Sequence, residues 1–240
     1  MSDSESFISH LIELRDRLLK AMVALLVVFG VLFYWARDIY SFMAKPLLAE
    51  LPAGSHMIAV EVAAPFFVPI KVTMFVSLVI ALPFVLYQIW AFIAPGLYSH
   101  EKKFAIPLVA TSTLLFLIGM AFAYFIVFPV VFHFVATFTP EGVEMNTDIQ
   151  KYFDFVLALF LAFGLAFETP IAVVILTKMG IVSLKKLKES RPYVIVGAFV
   201  IAAIFTPPDV VSQLLLAFPI WLLFELGLLI SGFIEKPKEK

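Results

Sequence analysis

Long apolar runs, separated by short polar segments, are the main pattern along the chain. Six of them are predicted to cross a membrane as helices, at residues 18–36, 70–93, 104–134, 152–177, 193–205 and 210–233. About 20 apolar residues at 1.5 Å each match a hydrocarbon core of roughly 30 Å. The last two spans are predicted to be short. The fifth has only 13 residues, which favours local bilayer thinning or a water-filled indentation beside it.

The polar segment 1–17, before the first span, has an amphipathic pattern. Its apolar residues recur at the spacing of one helical face, at Phe7, Leu11, Leu14 and Leu18. We therefore expect a surface helix that lies on the membrane before the first span enters it. The first span is too long for the apolar core of a cleaved signal peptide, so it is predicted to be a retained anchor.

Composition agrees with a membrane protein. Hydrophobic residues make up 62% of the 240 residues and charged residues only 15%, whereas about a quarter of a typical soluble domain is charged. We expect an all-α integral membrane protein with a single six-helix transmembrane domain over residues 1–240. The formal net charge of −1 gives no indication of a nucleic-acid partner. The absence of cysteine excludes disulfides, thiol catalysis and thiolate metal sites.

Lysine and arginine predict the orientation of the spans. With a cytoplasmic N-terminus, thirteen of the 17 Lys and Arg residues fall on the cytoplasmic side. The four on the outer side are Arg37, Lys45, Lys71 and Lys151. Since cytoplasmic loops carry an excess of these residues, we expect both termini in the cytoplasm.

Three polar residues interrupt the apolar spans. Gln88, Glu168 and Glu225 lie in the second, fourth and sixth spans, each in the half that is predicted to be cytoplasmic. Intramembrane carboxylates usually face a bundle interior or a cavity, so the three residues are candidates for a shared polar groove. The alternative is that the two glutamates are neutral or hydrogen-bonded packing residues.

Two carboxylates on the predicted cytoplasmic surface admit two interpretations. Glu13 and Arg15 lie in the segment HLIELRDRL, and Glu101 lies in the first cytoplasmic loop. In the structural interpretation, Glu13 forms a helical ion pair with Arg17, four residues further on. Glu101 then lies just after a helix N-cap at Ser99, where an acidic side chain suits the helix dipole.

The functional interpretation of the same residues is a peptide-binding site. A guanidinium offers a planar fork of donors that a carboxylate accepts bidentately, so Glu13 and Glu101 can bind two arginines. The aromatic residues Phe92 and Tyr98 can hold an apolar side chain next to the pair. The sequence alone leaves both interpretations open.

No pattern indicates an enzyme, a cofactor or a metal. The four histidines, His10, His56, His100 and His133, lack metal-like spacing. Walker, G-x-S-x-G and H-E-x-x-H sequences do not occur, which argues against an ATPase, a serine hydrolase and a metalloprotease. Asp209 follows two prolines and precedes a helical run, so it is explained as a helix N-cap.

Six stretches carry a resemblance to known proteins. They are HLIELRDRLL (10–19), PFFVPIKVTMFVSL (65–78), LYQIWAFIAPGLYSHEKK (86–103), FLIGMAFAYFIVFP (116–129), FGLAFETPI (163–171) and RPYVIVGAFVIAAIFTPPDVVSQ (191–213). In this order and spacing, over about residues 7–234, the chain resembles the TatC family. Members of that family are the multispanning core and receptor subunits of the twin-arginine protein translocase.

The resemblance implies a cup-shaped bundle of six transmembrane helices in the bacterial cytoplasmic (inner) membrane, with both termini cytoplasmic. It implies an extracytoplasmic cap that includes Pro46 and Asp209. In the family, the carboxylates that match Glu13 and Glu101 receive the paired arginines of a signal peptide, with the position of Phe92 beside them.

The implied function is that of a receptor for the twin-arginine signal peptides of folded precursor proteins. The chain would recruit single-span partners of the TatA and TatB type, in a hetero-oligomeric complex that uses the proton-motive force. Partners would bind around the fifth and sixth spans, and Glu168 would be the polar residue of a groove that faces the membrane.

Two other functions compete with this one. A proton-coupled small-molecule transporter would use Glu168 and Glu225 as proton carriers. A protein that only anchors partner helices would tolerate charge-neutral substitutions at all of these carboxylates.

Overall fold

The computed structural model describes residues 3–50, 57–93, 105–137, 147–206 and 210–234, and these ranges are almost entirely helical. Their helices are α1 (Asp3–Leu32), α2 (Ala36–Glu50), α3 (Ala64–Ile93), α4 (Ala105–Phe122), α5 (Phe128–Thr137), α6 (Ile149–Phe167), α7 (Thr169–Lys178), α8 (Leu184–Glu189), α9 (Arg191–Phe205) and α10 (Val210–Ile234). A 3-10 turn, Phe33–Trp35, joins α1 to α2, and a π-helical segment, Ala123–Val127, joins α4 to α5. Two short strands, β1 (Met57–Ile58) and β2 (Thr147–Asp148), form a parallel pair.

Several helical spans are long and apolar enough to cross a membrane. Within the described residues there are five, at Ile8–Ala44, Ala64–Ile93, Ile106–Phe132, Ile149–Lys178 and Val210–Ile234. The further apolar helix α9 has 15 residues and rises only about 22 Å, which is less than the hydrocarbon thickness. The all-α membrane fold and the short fifth span are therefore confirmed. Of the last two spans only α9 is too short to cross, since α10 has 25 residues.

The N-terminal amphipathic segment and the first span form one helix, α1, which is unbroken from Asp3 to Leu32. The prediction of a separate surface helix over residues 1–17 is therefore wrong in its boundary. Neither proline nor glycine occurs in this part of the chain before Gly30, so nothing in the sequence interrupts the helical hydrogen bonds.

The chain divides into two compact units. The first combines Met1–Thr113 with Glu144–Asp154, and the second combines Leu114–Val143 with Phe155–Lys240. Helices α1, α2 and α3 and both strands belong to the first unit. Helices α5, α7, α8, α9 and α10 belong to the second.

In the first unit, α3 is the central helix, because both α1 and α2 pack against it. Its buried apolar residues follow helical spacing, at Val68, Val72, Phe75, Leu82 and Leu86. In the most apolar 18-residue stretch of α3, 44% of the residues are buried. In the corresponding stretch of the first span, none is buried. The first span therefore presents most of its apolar side chains outward, as a lipid-facing helix does.

Polar groups of α3 find partners inside the first unit. Thr73 Oγ1 donates to the carbonyl oxygen of Pro69, and Ser77 Oγ donates to that of Thr73, both at 2.7 Å. Trp90 Nε1 donates to Ser112 Oγ of α4 at 2.8 Å, in a buried contact that joins two spans. Hydrocarbon offers no hydrogen-bond partner, so these bonds allow the polar side chains to lie at membrane depth.

The strand pair is a feature that no sequence pattern predicts, since two residues per strand are too few to show alternation. A side chain extends the contact beyond the strands: Asp148 Oδ1, at the end of β2, accepts a hydrogen bond from the amide of Val60 at 3.5 Å. In the same unit, Lys71 of α3 forms an ion pair with Asp154 of α6. These contacts connect the segment before α3 with the start of α6.

In the second unit, two glycines let α4 and α6 approach each other closely. A Cβ atom at Gly119 would overlap the carbonyl oxygen of Phe163, and a Cβ atom at Gly164 would lie 2.5 Å from the ring of Phe116. Both phenylalanines are almost completely buried. Small residues are typical of helix contacts in membranes, because close van der Waals packing holds the helices together there.

The central helix of the second unit is α10, against which α7, α8 and α9 pack. One core cluster in this unit consists of Val173 of α7 with Phe224 and Leu228 of α10, and Leu184 and Leu187 of α8 pack against it. The three lysines of α8, by contrast, are exposed. The short helix therefore lies on α10 through its leucines and turns its charged face outward.

The close helix contact predicts that Gly119→Ala destabilises the protein by about 1–3 kcal/mol, the usual cost of overpacking a tight core. The added methyl group meets backbone, which cannot rotate away. Thermal unfolding of the purified protein in one detergent would measure the effect.

Gly197→Ala is the matched control, because a Cβ atom at Gly197 has no neighbour within 4 Å. This variant is expected to be neutral or stabilised by up to about 1 kcal/mol, through the higher helix propensity of alanine. Equal unfolding temperatures for the two variants would contradict the assigned packing.

Candidate functional site

Glu13 is bonded to a guanidinium of its own helix. Arg17, one turn further along α1, donates from Nε and Nη2 to Glu13 Oε1 at 2.9 and 2.7 Å. On the other side of the carboxylate, His10 Nδ1 lies 4.0 Å from Glu13 Oε2. The ion pair expected from the sequence spacing is thus present, and both oxygens of the carboxylate have a basic neighbour.

His10 also connects this carboxylate to Phe92. The two rings are stacked, with their centroids 4.5 Å apart and an angle of 19° between their planes. His10 lies near the start of α1 and Phe92 in the last turn of α3, so the two helices run antiparallel and these ends meet. The structure therefore brings two of the predicted site residues, Glu13 and Phe92, to either side of one histidine. We call His10, Glu13, Arg17 and Phe92 the Glu13 cluster.

The other predicted residues of the peptide site are not part of this contact. Arg15 points away from Glu13 and pairs with its neighbour Asp16, whose Oδ1 accepts from Arg15 Nε at 3.0 Å and Nη2 at 2.8 Å. This pair is largely exposed. Tyr98 and Glu101 lie outside the described residues.

The three residues predicted to form an intramembrane groove lie in different units. Gln88 is in the first unit, buried in α3 one turn before Phe92. Glu168 and Glu225 are in the second. The shared groove stays a prediction, and each residue is described in its own surroundings.

Glu168 marks a break in the fourth span. It stands between α6 and α7, where its amide donates to the carbonyl oxygen of Leu165 and its own carbonyl oxygen accepts from Ala172. Pro170, in the first turn of α7, has no amide hydrogen to continue the α-helical pattern. Glu168 as a residue is half-buried at this break, and its Oε1 atom is fully buried. The span predicted at 152–177 is present as Ile149–Lys178, and Pro170 is the sequence signal for the local break inside it.

Glu225 forms a two-pronged ion pair. Arg191 Nε donates to Glu225 Oε1 and Arg191 Nη2 to Oε2, both at 2.7 Å. Arg191 is the first residue of α9, where the helix dipole disfavours a cation, and the carboxylate from α10 offsets this cost. The pair therefore joins the two helices and aligns the start of α9 with the Glu225 position of α10.

This pair also accounts for the position of the short fifth span. Glu225 lies nine residues before the end of α10, so α10 continues about 14 Å beyond the start of α9. Helix α8 packs along that extension, where Leu184 Cδ2 lies 3.7 Å from the place of a Cβ atom on Gly232. A surface helix thus covers α10 where the fifth span does not reach.

The residues expected in the extracytoplasmic cap are only partly described. Pro46 is inside α2, but its side chain is outside the described part, and Asp209 lies outside the described residues altogether. Among the described residues, no group of three or more His, Cys, Asp or Glu side chains has the arrangement of metal ligands.

Two residues of these contacts were not identified as partners from the sequence, His10 and Arg191. His10 lies three residues before Glu13, a spacing that places both on one helical face, and this was the available signal. Arg191 and Glu225 are 34 residues apart in the sequence and lie in different helices, so only the tertiary structure reveals their contact.

Comparison with known proteins decides the family. The family described as Sec-independent protein translocase protein (TatC) matches residues 9–219. The Sec-independent protein translocase protein TatC of Escherichia coli strain K12 is 55% identical over 233 residues, which cover 97% of this chain and 90% of that protein. The protein of the same name from Aquifex aeolicus is 40% identical over 233 residues, with 96% of each chain covered.

The chain belongs to the TatC family. A crystal structure described as the twin arginine translocase receptor TatC has a TM-score of 0.84 and 41% identity, and the match covers 95% of this chain and all of that one. The chain is accordingly a multi-pass membrane protein and a component of a protein translocase, not an enzyme.

The Arg191–Glu225 pair predicts a measurable coupling in a double-mutant cycle. Arg191→Gln, Glu225→Gln and the double variant should give a coupling free energy of unfolding of about 1 kcal/mol, because the pair is bidentate but partly exposed. Unfolding of the unmodified chain and the three variants in mixed detergent would provide the free energies of the cycle. Strictly additive effects would show that the ion pair contributes nothing to the packing of α9 on α10.

Proposed function

We propose that the chain is the receptor and core component of a twin-arginine translocase in the bacterial cytoplasmic membrane. In this proposal Glu13 and Glu101 bind the paired arginines of signal peptides on folded precursor proteins. The solved structures that the chain resembles carry the name twin arginine translocase receptor. Identity of 41% over 95% of the chain supports the transfer of that role.

The observation that carries the proposal is the guanidinium bound at Glu13. Two N–H groups of Arg17 meet one carboxylate oxygen at 2.7 and 2.9 Å, so this carboxylate already accepts a guanidinium within the chain. The side chain of Glu13 is 38% exposed, so a peptide can reach it. Through the stacked ring of His10, the apolar surface of Phe92 lies close enough to receive a side chain next to the arginine.

We further propose that both termini face the cytoplasm, that the six spans form one domain, and that single-span partners of the TatA and TatB type bind to it. The excess of Lys and Arg on one side supports this orientation, since thirteen of 17 fall there. Exposed apolar side chains on α9 and α10 support partner binding around the last two spans. Export would draw on the proton-motive force through the assembled complex.

The transporter alternative receives less support from the carboxylates. Protonation of Glu225 would remove the negative charge that strengthens both hydrogen bonds from Arg191, which argues against a proton carrier at this position. Glu168 alone would then have to carry protons. A protein that merely anchors partners would in turn show no preference between peptides.

The proposal predicts that Glu13→Gln weakens binding of a twin-arginine peptide by about 10- to 100-fold, the usual value of a charge-assisted hydrogen-bonded contact. Fluorescence anisotropy would measure binding of a labelled peptide with the sequence S-R-R-x-F-L-K to the purified chain in detergent. A twin-lysine peptide provides the comparison.

Glu61→Gln is the matched control, because it removes the same charge from an exposed carboxylate before α3. This variant should bind like the unmodified chain. Unchanged binding by Glu13→Gln, or equal binding of both peptides by the unmodified chain, would refute the receptor assignment.

A further inference from the structure

The guanidinium at Glu13 occupies the group that a signal peptide would use. Arg17 directs both of its hydrogen bonds at Oε1, and its side chain is only 25% exposed, against 66% for Arg15 two residues earlier. The chain therefore holds one of its own arginines in the candidate site.

We infer that Arg17 is an internal competitor of the peptide arginine, and that it sets both the affinity and the arginine preference of the site. This inference rests on the proposed function. It assigns to Arg17 a specificity-determining role that differs from merely stabilising α1.

The geometry explains why the two guanidiniums compete. A fork-to-fork contact places one N–H group on each carboxylate oxygen, so an incoming arginine needs Oε1 as well as Oε2. Among the contacts of the described residues, Arg17 fills Oε1 and leaves Oε2, 4.0 Å from His10 Nδ1, as the oxygen that is available without a rearrangement. A lysine ammonium is a point donor that can use a single oxygen, so it can bind at Oε2 while Arg17 stays in place.

The size of the effect follows from population arithmetic. The apparent dissociation constant is the intrinsic one divided by the fraction of molecules in which the site is open. A helical ion pair of this exposure should raise the apparent dissociation constant by a factor of about two to five. Side chains exchange within nanoseconds, so the open fraction should scale the association rate and leave the dissociation rate unchanged.

The test is stopped-flow binding of the twin-arginine and twin-lysine peptides to the full chain in detergent, with Arg17→Gln and Lys20→Gln compared. Lys20 is an exposed residue one turn further along α1, so its substitution removes the same charge without opening Glu13. Salt at about 0.5 M suppresses the long-range effect of the charge change.

Arg17→Gln is expected to bind the twin-arginine peptide about two- to fivefold more tightly through faster association, with a smaller gain for twin-lysine. Lys20→Gln should change both peptides little and alike. Arg17→Lys, which keeps the charge but lacks the fork, should show a smaller gain of the same sign and replaces Arg17→Gln if that variant does not fold.

Weaker or unchanged binding by the Arg17 variants would overturn the inference, because Arg17 would then position Glu13 for the peptide. An equal gain in Lys20→Gln would overturn it as well. If the unmodified chain and every variant bind both peptides equally, the receptor function itself fails. If the chain prefers the twin-arginine peptide but the Arg17 variants bind it unchanged, the receptor function stands and only the role of Arg17 as a competitor is refuted.

Discussion

A polar group inside a bilayer must find its partner within the protein, because hydrocarbon offers none. This constraint explains much of the described structure. Hydroxyl groups of α3 donate to carbonyl oxygens one turn earlier, and Trp90 of α3 donates to Ser112 of α4. Arg191 and Glu225 neutralise each other between the fifth and sixth spans. In each case a polar side chain that would be costly alone becomes a contact between turns or between helices.

The same constraint separates structural carboxylates from a carboxylate that can exchange its partner. Glu225 has a bidentate partner from another helix and is 22% exposed, which favours a permanent joint. Glu13 has a partner from its own helix, uses one oxygen for it and is more exposed. A contact within one helix can open without moving any helix, so in the proposed receptor an incoming guanidinium would replace Arg17 at low cost.

The position of the Glu13 cluster depends on the antiparallel packing of α1 and α3. The start of one helix meets the end of the other, and the stacked rings of His10 and Phe92 fix that junction. The two rings lie on the His10 side of the Glu13 carboxylate, whereas Arg17 binds its other oxygen. In the proposed receptor, these four side chains would provide the chemical basis for binding an arginine.

The sequence predicted those features that depend on local pattern. The bounds of the last span agree with α10 within one residue, and the spacing of Glu13 and Arg17 predicted their ion pair. The break at Glu168 was missed, because hydropathy does not register one proline in an apolar run. The Arg191–Glu225 and His10–Phe92 contacts join distant segments, and local periodicity carries no information about such pairs.

The most direct test of the central claim is disulfide crosslinking of a signal peptide to the chain. The chain contains no cysteine, so Ser9→Cys, one turn before Glu13 on the same helical face, provides a unique reporter. Val62→Cys, fully exposed beyond the opposite end of α3, provides the control. A peptide with a cysteine beside its arginine pair should link to position 9, and twin-arginine peptide should prevent this at a lower concentration than twin-lysine peptide. Equal linkage at both positions, unaffected by either competitor, would contradict the account.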